Sequence, residues 1–66
     1  MVLTVNGRPR EEPGPLVLAQ LIERLGLSAA ACAAEVNRAL VPKREHASYE
    51  LKDGDVVELV TLVGGG

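Results

Sequence analysis

Residues 56–63 read Val-Val-Glu-Leu-Val-Thr-Leu-Val and form the most β-prone stretch of this 66-residue chain. Apart from Glu58, every residue in the stretch is apolar or β-branched, and such residues favour extended backbone. A strand with a single charge is typical of the middle of a sheet, where both faces are largely covered. The stretch therefore predicts a central β-strand.

Alternation along this strand separates its side chains into two sets. Successive side chains of a strand point to opposite faces of the sheet, so Val57 and Leu59 share one face. Glu58, Val60 and Leu62 share the other. We expect the first set to pack against a helix and the second to form an open patch that docks a partner protein. The alternative is that both faces are buried.

The N-terminal segment carries a strong hairpin signal. Asn6-Gly7 follows the β-favouring residues 2–5, and both turn residues tolerate a positive φ. The returning residues 8–12 contain Pro9, which predicts a short edge strand because proline cannot donate to a β-ladder. Glu11 and Glu12 are expected to lie on this solvated edge of the sheet and not to form a catalytic acid–base pair.

A helix of about ten residues is predicted next, because apolar residues recur at the i, i+3, i+4 and i+7 positions. They are Leu18, Leu21, Ile22 and Leu25. Pro15 suits the first turn, and Gly26 suits the position just after the helix, where a left-handed residue often ends it.

The middle of the chain predicts two more short strands. Residues 32–36 alternate with a period of two, and residues 39–41 form a further extended piece. Asn37-Arg38 between them is a possible turn, although Arg38 makes a type I′ geometry costly. The predicted fold is therefore α+β, with a mixed sheet of four to five strands and one main helix on one face. The other face is left open or binds something.

Composition excludes several classes of protein. The length allows one domain, and a net charge of −2 disfavours nucleic-acid binding. No apolar run approaches the roughly 20 residues of a membrane helix, and no signal-peptide pattern is present. The single Cys forms no intramolecular disulfide. We expect a cytoplasmic protein with no nucleic-acid or membrane partner.

Catalytic groups are scarce in this sequence. Cys32 lies in an alternating apolar strand and is expected to be a core residue, whereas His46 lies in a polar loop and is expected to be solvated. One Cys and one His cannot supply the three or four ligands of a zinc site. We therefore predict no metal site, no bound cofactor and no catalytic residue.

The chain ends in Gly64-Gly65-Gly66 directly after the predicted central strand. A phosphate-binding glycine loop is excluded because it must precede a helix. We predict a domain over residues 1–63 and a flexible tail over residues 64–66. Such a tail fits a narrow channel in another protein, where activation by ATP makes the terminal carboxylate reactive. A frayed end without a role is the alternative.

Five short motifs spread along the chain carry a family resemblance. They are Val5-Asn6-Gly7, Glu35-Val36-Asn37, Val41-Pro42-Lys43, Leu51-Lys52-Asp53-Gly54-Asp55 and Gly65-Gly66. Together with the length and the order of elements, they resemble the ThiS family, the sulfur carriers of thiamin biosynthesis, which have the ubiquitin-like β-grasp fold. The sequence departs from the family pattern at Leu16, Arg38 and His46.

The resemblance implies a protein co-substrate and not an enzyme. An E1-like adenylyltransferase would use ATP to adenylate the Gly66 carboxylate, and a cysteine desulfurase or rhodanese-type donor would supply sulfur. Thiazole synthase would then take the sulfur from the resulting thiocarboxylate. Alternatives are a carrier for tRNA thiolation or molybdopterin synthesis, a ubiquitin-like tag joined to lysines, and a β-grasp domain with an inert tail.

Overall fold

Five strands and one α-helix form within residues 1–61, the part of the chain that the computed structural model describes. The strands are β1 (Val2–Val5), β2 (Arg8–Glu11), β3 (Cys32–Val36), β4 (Ala39–Val41) and β5 (Val56–Thr61). The α-helix, α1, spans Leu18–Arg24, and short 3₁₀ helices span Ala29–Ala31 and Lys43–Glu45.

The sheet has the strand order β2-β1-β5-β3-β4, so β5 is central and Pro9 lies on an edge strand, as predicted. Strands β1 and β5 run parallel, and the other neighbouring pairs run antiparallel. The predicted α+β fold, a mixed sheet of four to five strands with one helix, is confirmed.

The two hairpin turns within residues 1–61 use left-handed backbone at both central residues. Asn6 (φ 49°) and Gly7 (φ 81°) join β1 to β2, so the predicted hairpin is confirmed. Asn37 (φ 53°) and Arg38 (φ 70°) join β3 to β4 in the same way. Arg38 thus adopts the conformation that its Cβ disfavours, as the sequence predicted for a type I′ turn.

Arg38→Gly is expected to raise the free energy of unfolding by about 0.5–1 kcal/mol, because the strain of a side chain at positive φ exceeds the extra chain entropy of glycine. Urea unfolding of the two proteins measures the difference. Arg8→Gly is the control, since Arg8 is an exposed strand residue and glycine should weaken that strand. Equal or lower stability of Arg38→Gly would contradict the strain.

Helix α1 starts later than predicted, because the residues before it pair with another segment. Leu51 donates its N–H to the Leu16 carbonyl at 2.9 Å, and Val17 forms a β-bridge with Glu50. The chain is therefore still extended at Val17, the N-cap, and Pro15 lies outside the first turn.

The end of α1 matches the prediction. Gly26 has φ 74° and donates its N–H to the Glu23 carbonyl at 3.0 Å. Leu27 donates to the Ile22 carbonyl at 3.2 Å and packs against the core. These two bonds form a Schellman cap, which ends the helix and satisfies carbonyls that would otherwise lack partners.

Within residues 1–61, one hydrophobic core lies between α1 and one face of the sheet. Its buried members are Leu3, Val5, Leu16, Leu18, Leu21, Ile22, Cys32, Ala34, Val36, Val41, Leu51, Val57 and Leu59. Val57 and Leu59 are in this core and Cys32 is buried, so these predictions are confirmed.

His46 is buried, so the prediction of a solvated side chain is wrong. The 3₁₀ helix Lys43–Glu45 turns the chain so that the His46 ring points inward, where Nε2 donates to the Val41 carbonyl at 3.0 Å. The His46 carbonyl accepts the N–H of Ala19 at 2.9 Å. His46 thereby joins the loop after β4 to the helix, a role that its polar neighbours in sequence do not indicate.

Glu12 is also buried, so the prediction of a solvated edge is wrong for this residue. Its carboxylate is 2.6 Å from Nη1 of Arg24 on α1, and it also accepts a hydrogen bond from Nε of Arg10. The hydrogen bond from Arg24 lowers the pKa of Glu12, with further lowering by Arg10, while burial opposes the shift.

Acid is expected to remove the contribution of Glu12 to stability. Because the pKa of Glu12 is lower in the folded protein, its contribution is complete above the ordinary glutamate range and is lost as pH falls through the folded value. Glu12→Gln should therefore lower stability at neutral pH, and the difference from wild type should shrink in acid. Urea unfolding across pH tests this, with exposed Glu11→Gln as control. A difference that does not vary with pH would contradict it.

Candidate functional site

The sheet face opposite α1 carries an exposed patch, which we call the open face and define as Glu35, Leu40, Glu58 and Val60. All four side chains are exposed, Leu40 to 69% and Val60 to 59%. Leu40 lies on β4 and Val60 on β5, on either side of β3, and apolar residues grouped with charged ones on one exposed sheet face are typical of an interaction surface. The alternative prediction, that both faces of β5 are buried, is therefore wrong at Glu58 and Val60.

The open face is built by the register of three strands. Leu40 of β4 lies opposite Glu35 of β3, and Glu35 lies opposite Glu58 of β5. In the next row, Ala33 lies opposite Val60. The small Ala33 side chain leaves a groove of about 280 Å³ bordered by the four residues of the open face.

Side chains of both turn asparagines hold β5 in place. Asn6 accepts the N–H of Leu59 at Oδ1, at 2.8 Å, and donates from Nδ2 to the Leu59 carbonyl at 3.2 Å. Asn37 accepts the N–H of Val56 at Oδ1, at 2.9 Å. The sequence marks these asparagines only as turn residues, so their role in fixing the strand that presents Glu58 and Val60 was not predicted.

Of the predicted site residues, the structure describes Glu58 and Val60 and brings them to one surface. Leu62, Gly64, Gly65 and Gly66 lie outside the described residues, as does part of the proposed boundary between a domain and a tail. Strand β5 is described through Thr61. Five further residues lead to Gly66, a span of at most about 18 Å when fully extended.

The Cys32 thiol is unsuited to carry a reactive sulfur. The residue is 2% exposed, and burial raises the pKa of its thiol. The thiolate is the nucleophilic form, so a raised pKa and low exposure both reduce reactivity.

Residues 1–61 contain no group of three or more His, Cys, Asp or Glu side chains arranged to hold a metal ion. Over the same residues, no helix has the length and apolar character needed to cross a membrane. The cytoplasmic location stays a prediction.

Comparison with known proteins connects this fold and this chain end to one family. The ThiS family model matches residues 3–66. The crystal structure of the thiamine biosynthesis protein ThiS from Geobacter metallireducens superposes with a TM-score of 0.83 at 33% identity, covering 100% of both chains.

Two curated relatives extend the comparison. A thiazole synthase of Paramagnetospirillum magneticum is 35% identical over all 66 residues, although the chain spans only 20% of the length of that relative. The uncharacterised protein ycf40 of Porphyra purpurea is 38% identical over 64 residues, with coverage of 97% of this chain and 90% of that protein.

Proposed function

The chain belongs to the ThiS family of sulfur carriers, and we propose that it carries sulfur for thiazole formation in thiamin biosynthesis as a thiocarboxylate on Gly66. The observation that supports this most strongly is the match of the family model through Gly66 itself. The likeness to the ThiS structure over the full length of both chains gives further support, because the two proteins share one fold.

The proposed chemistry follows from the poor reactivity of a carboxylate. A Gly66 oxygen attacks the α-phosphate of ATP on the activating enzyme, and pyrophosphate leaves. The acyl adenylate then has a good leaving group, so a sulfur nucleophile attacks its carbonyl carbon and AMP departs. With sulfide, the product is the thiocarboxylate directly. With a persulfide donor, the product is an acyl disulfide, which a thiol must reduce to release the thiocarboxylate.

This function requires three partners and no bound cofactor. An E1-like adenylyltransferase would use the ATP, a cysteine desulfurase or rhodanese-type enzyme would supply sulfur, and thiazole synthase would accept it. The similarity to a segment of a thiazole synthase supports the last of these, since it indicates that a domain of this kind accompanies that enzyme. The carrier is a co-substrate of these enzymes and is regenerated after each cycle.

Glu58, Val60 and Leu62 are the proposed docking residues for these partners. Glu58 and Val60 are exposed beside the groove of the open face, on the strand that leads toward Gly66. Docking through this strand would fix the position from which the last residues of the chain enter a partner's active site.

Val60→Asp is expected to abolish binding to the activating enzyme while leaving the fold intact. Because Val60 is 59% exposed, a charge there costs the free carrier little, but it would be desolvated against an apolar partner surface. Calorimetric binding and circular dichroism measure the two effects. Val2→Asp is a matched control, since Val2 is exposed on β1, far along the sheet from Val60. Unfolding of Val60→Asp, or unchanged binding, would contradict the docking role.

Transfer of labelled sulfur tests the pathway. The carrier is incubated with activating enzyme, ATP and isotopically labelled sulfide, then purified and given to thiazole synthase with its other substrates. We expect the label in the thiazole product. Parallel reactions contain the enzymes of tRNA thiolation or of molybdopterin synthesis. Label that appears only in tRNA or in the pterin would show that the carrier serves one of those pathways instead. Carrier–lysine adducts without label would favour a protein tag.

A further inference from the structure

Two carboxylates face each other on the open face without a cation between them. Glu35 and Glu58 are direct cross-strand partners, and both are exposed. Side chains in such a pair lie about 4.5–5.5 Å apart at Cβ, and like charges in this position destabilise a sheet. Within residues 1–61, the ion pairs are those of Glu12 and Glu45, so no Lys or Arg neutralises Glu35 or Glu58.

Apolar side chains border this acidic pair on two sides. Leu40 continues the cross-strand row beyond Glu35, and Val60 lies in the next row, beside Glu58. The groove over Ala33 opens between them. The surface thus offers two negative charges close together and apolar walls next to them. Its complement is a positive head group on an apolar stem.

We propose that the open face receives an arginine side chain of the activating enzyme, whose guanidinium lies between Glu35 and Glu58. Guanidinium presents several N–H donors in one plane and can bond to two carboxylates at once, which the ammonium of lysine does less well. The methylene stem of the arginine would lie in the groove against Leu40 and Val60. This inference rests on the proposed function, because it takes the activating enzyme as the partner.

With an arginine bound in this way, the carboxylate pair has opposite effects in the free and the bound carrier. In the free protein, the two charges repel each other, so removing one should raise stability. In the complex, the same charge binds the guanidinium, so removing it should weaken binding. If the pair had only a structural role, replacing either glutamate would change stability but would not weaken binding to the activating enzyme.

Binding is measured by calorimetry with wild-type carrier and purified activating enzyme in the absence of ATP. We expect Glu35→Gln and Glu58→Gln each to raise Kd about tenfold, a typical loss for a charge-assisted contact. We also expect both variants to unfold at higher urea concentration than wild type. Glu23→Gln is the control, since Glu23 is exposed on α1, and it should leave Kd unchanged. Added salt should weaken binding of wild type more than of the variants.

Unchanged Kd in both glutamine variants would overturn the inference, and so would a loss of stability that parallels a loss of binding. Sulfur loading of the wild type is measured separately by intact mass. If the wild type loads and both variants bind with the wild-type Kd, only the arginine contact is rejected. If the wild type fails to load, the proposed function itself is rejected.

Discussion

Removing Gly66 is expected to abolish sulfur loading without changing the stability of the fold. The shortened chain still ends in a carboxylate, but that group lies one residue, about 3.3–3.6 Å, short of the position that the full chain reaches. A misplacement of 1 Å can already cost about a hundredfold in rate, so we expect loading of the deletion variant to fall by at least that factor. Intact-protein mass after incubation with activating enzyme, ATP and sulfide measures it.

Stability provides the control for this deletion. The buried core of residues 1–61 extends no further along the chain than Leu59, so the urea midpoint of the shortened protein should equal that of wild type. Loading of the shortened carrier at the wild-type rate would show that Gly66 is not the reactive end.

Leu21→Ala is expected to lower the free energy of unfolding by about 2–5 kcal/mol, the usual cost of a cavity at a buried leucine. Leu21 is fully buried on α1, the one α-helix that covers the core within residues 1–61. In a domain of fewer than about 70 residues, a single core rarely supplies more than about 3–5 kcal/mol, so this variant should be partly unfolded near physiological temperature.

Leu40→Ala is the matched control, because it removes the same atoms from a leucine that is 69% exposed. We expect its stability to lie within about 0.5 kcal/mol of wild type. Urea unfolding of both variants measures the contrast. A similar loss of stability in the two would show that Leu40 is part of the core and not of a docking surface.

The strands and turns were predictable from the sequence because their signals are local. Asn6-Gly7 tolerates the left-handed backbone of its hairpin, and alternation along β5 separated buried Val57 from exposed Val60. Gly26 marked the end of α1 for the same reason, since its left-handed backbone is what the cap requires.

The burial of Glu12 and His46 was not predictable in this way. Glu12 is buried because Arg24, twelve residues away, reaches it from the helix, and His46 because a 3₁₀ turn directs its ring toward Val41. Both depend on how elements pack. The pairing of Glu35 with Glu58 likewise depends on strand register, which the periodicity of a single strand does not contain.

The carrier is proposed to hold sulfur at Gly66 and not on a cysteine, and peptide mass spectrometry of the loaded carrier distinguishes the two positions. The carrier is loaded with the activating enzyme, ATP and a small-molecule persulfide, whose outer sulfur can pass to a cysteine without an oxidant and whose thiol releases the thiocarboxylate. Cleavage after Lys and Arg then places Gly66 in residues 53–66 and Cys32 in residues 25–38. We predict an ATP-dependent gain of about 16 Da, the exchange of oxygen for sulfur, in residues 53–66. A gain of about 32 Da in residues 25–38, the mark of a cysteine persulfide, with no change in residues 53–66, would contradict the claim.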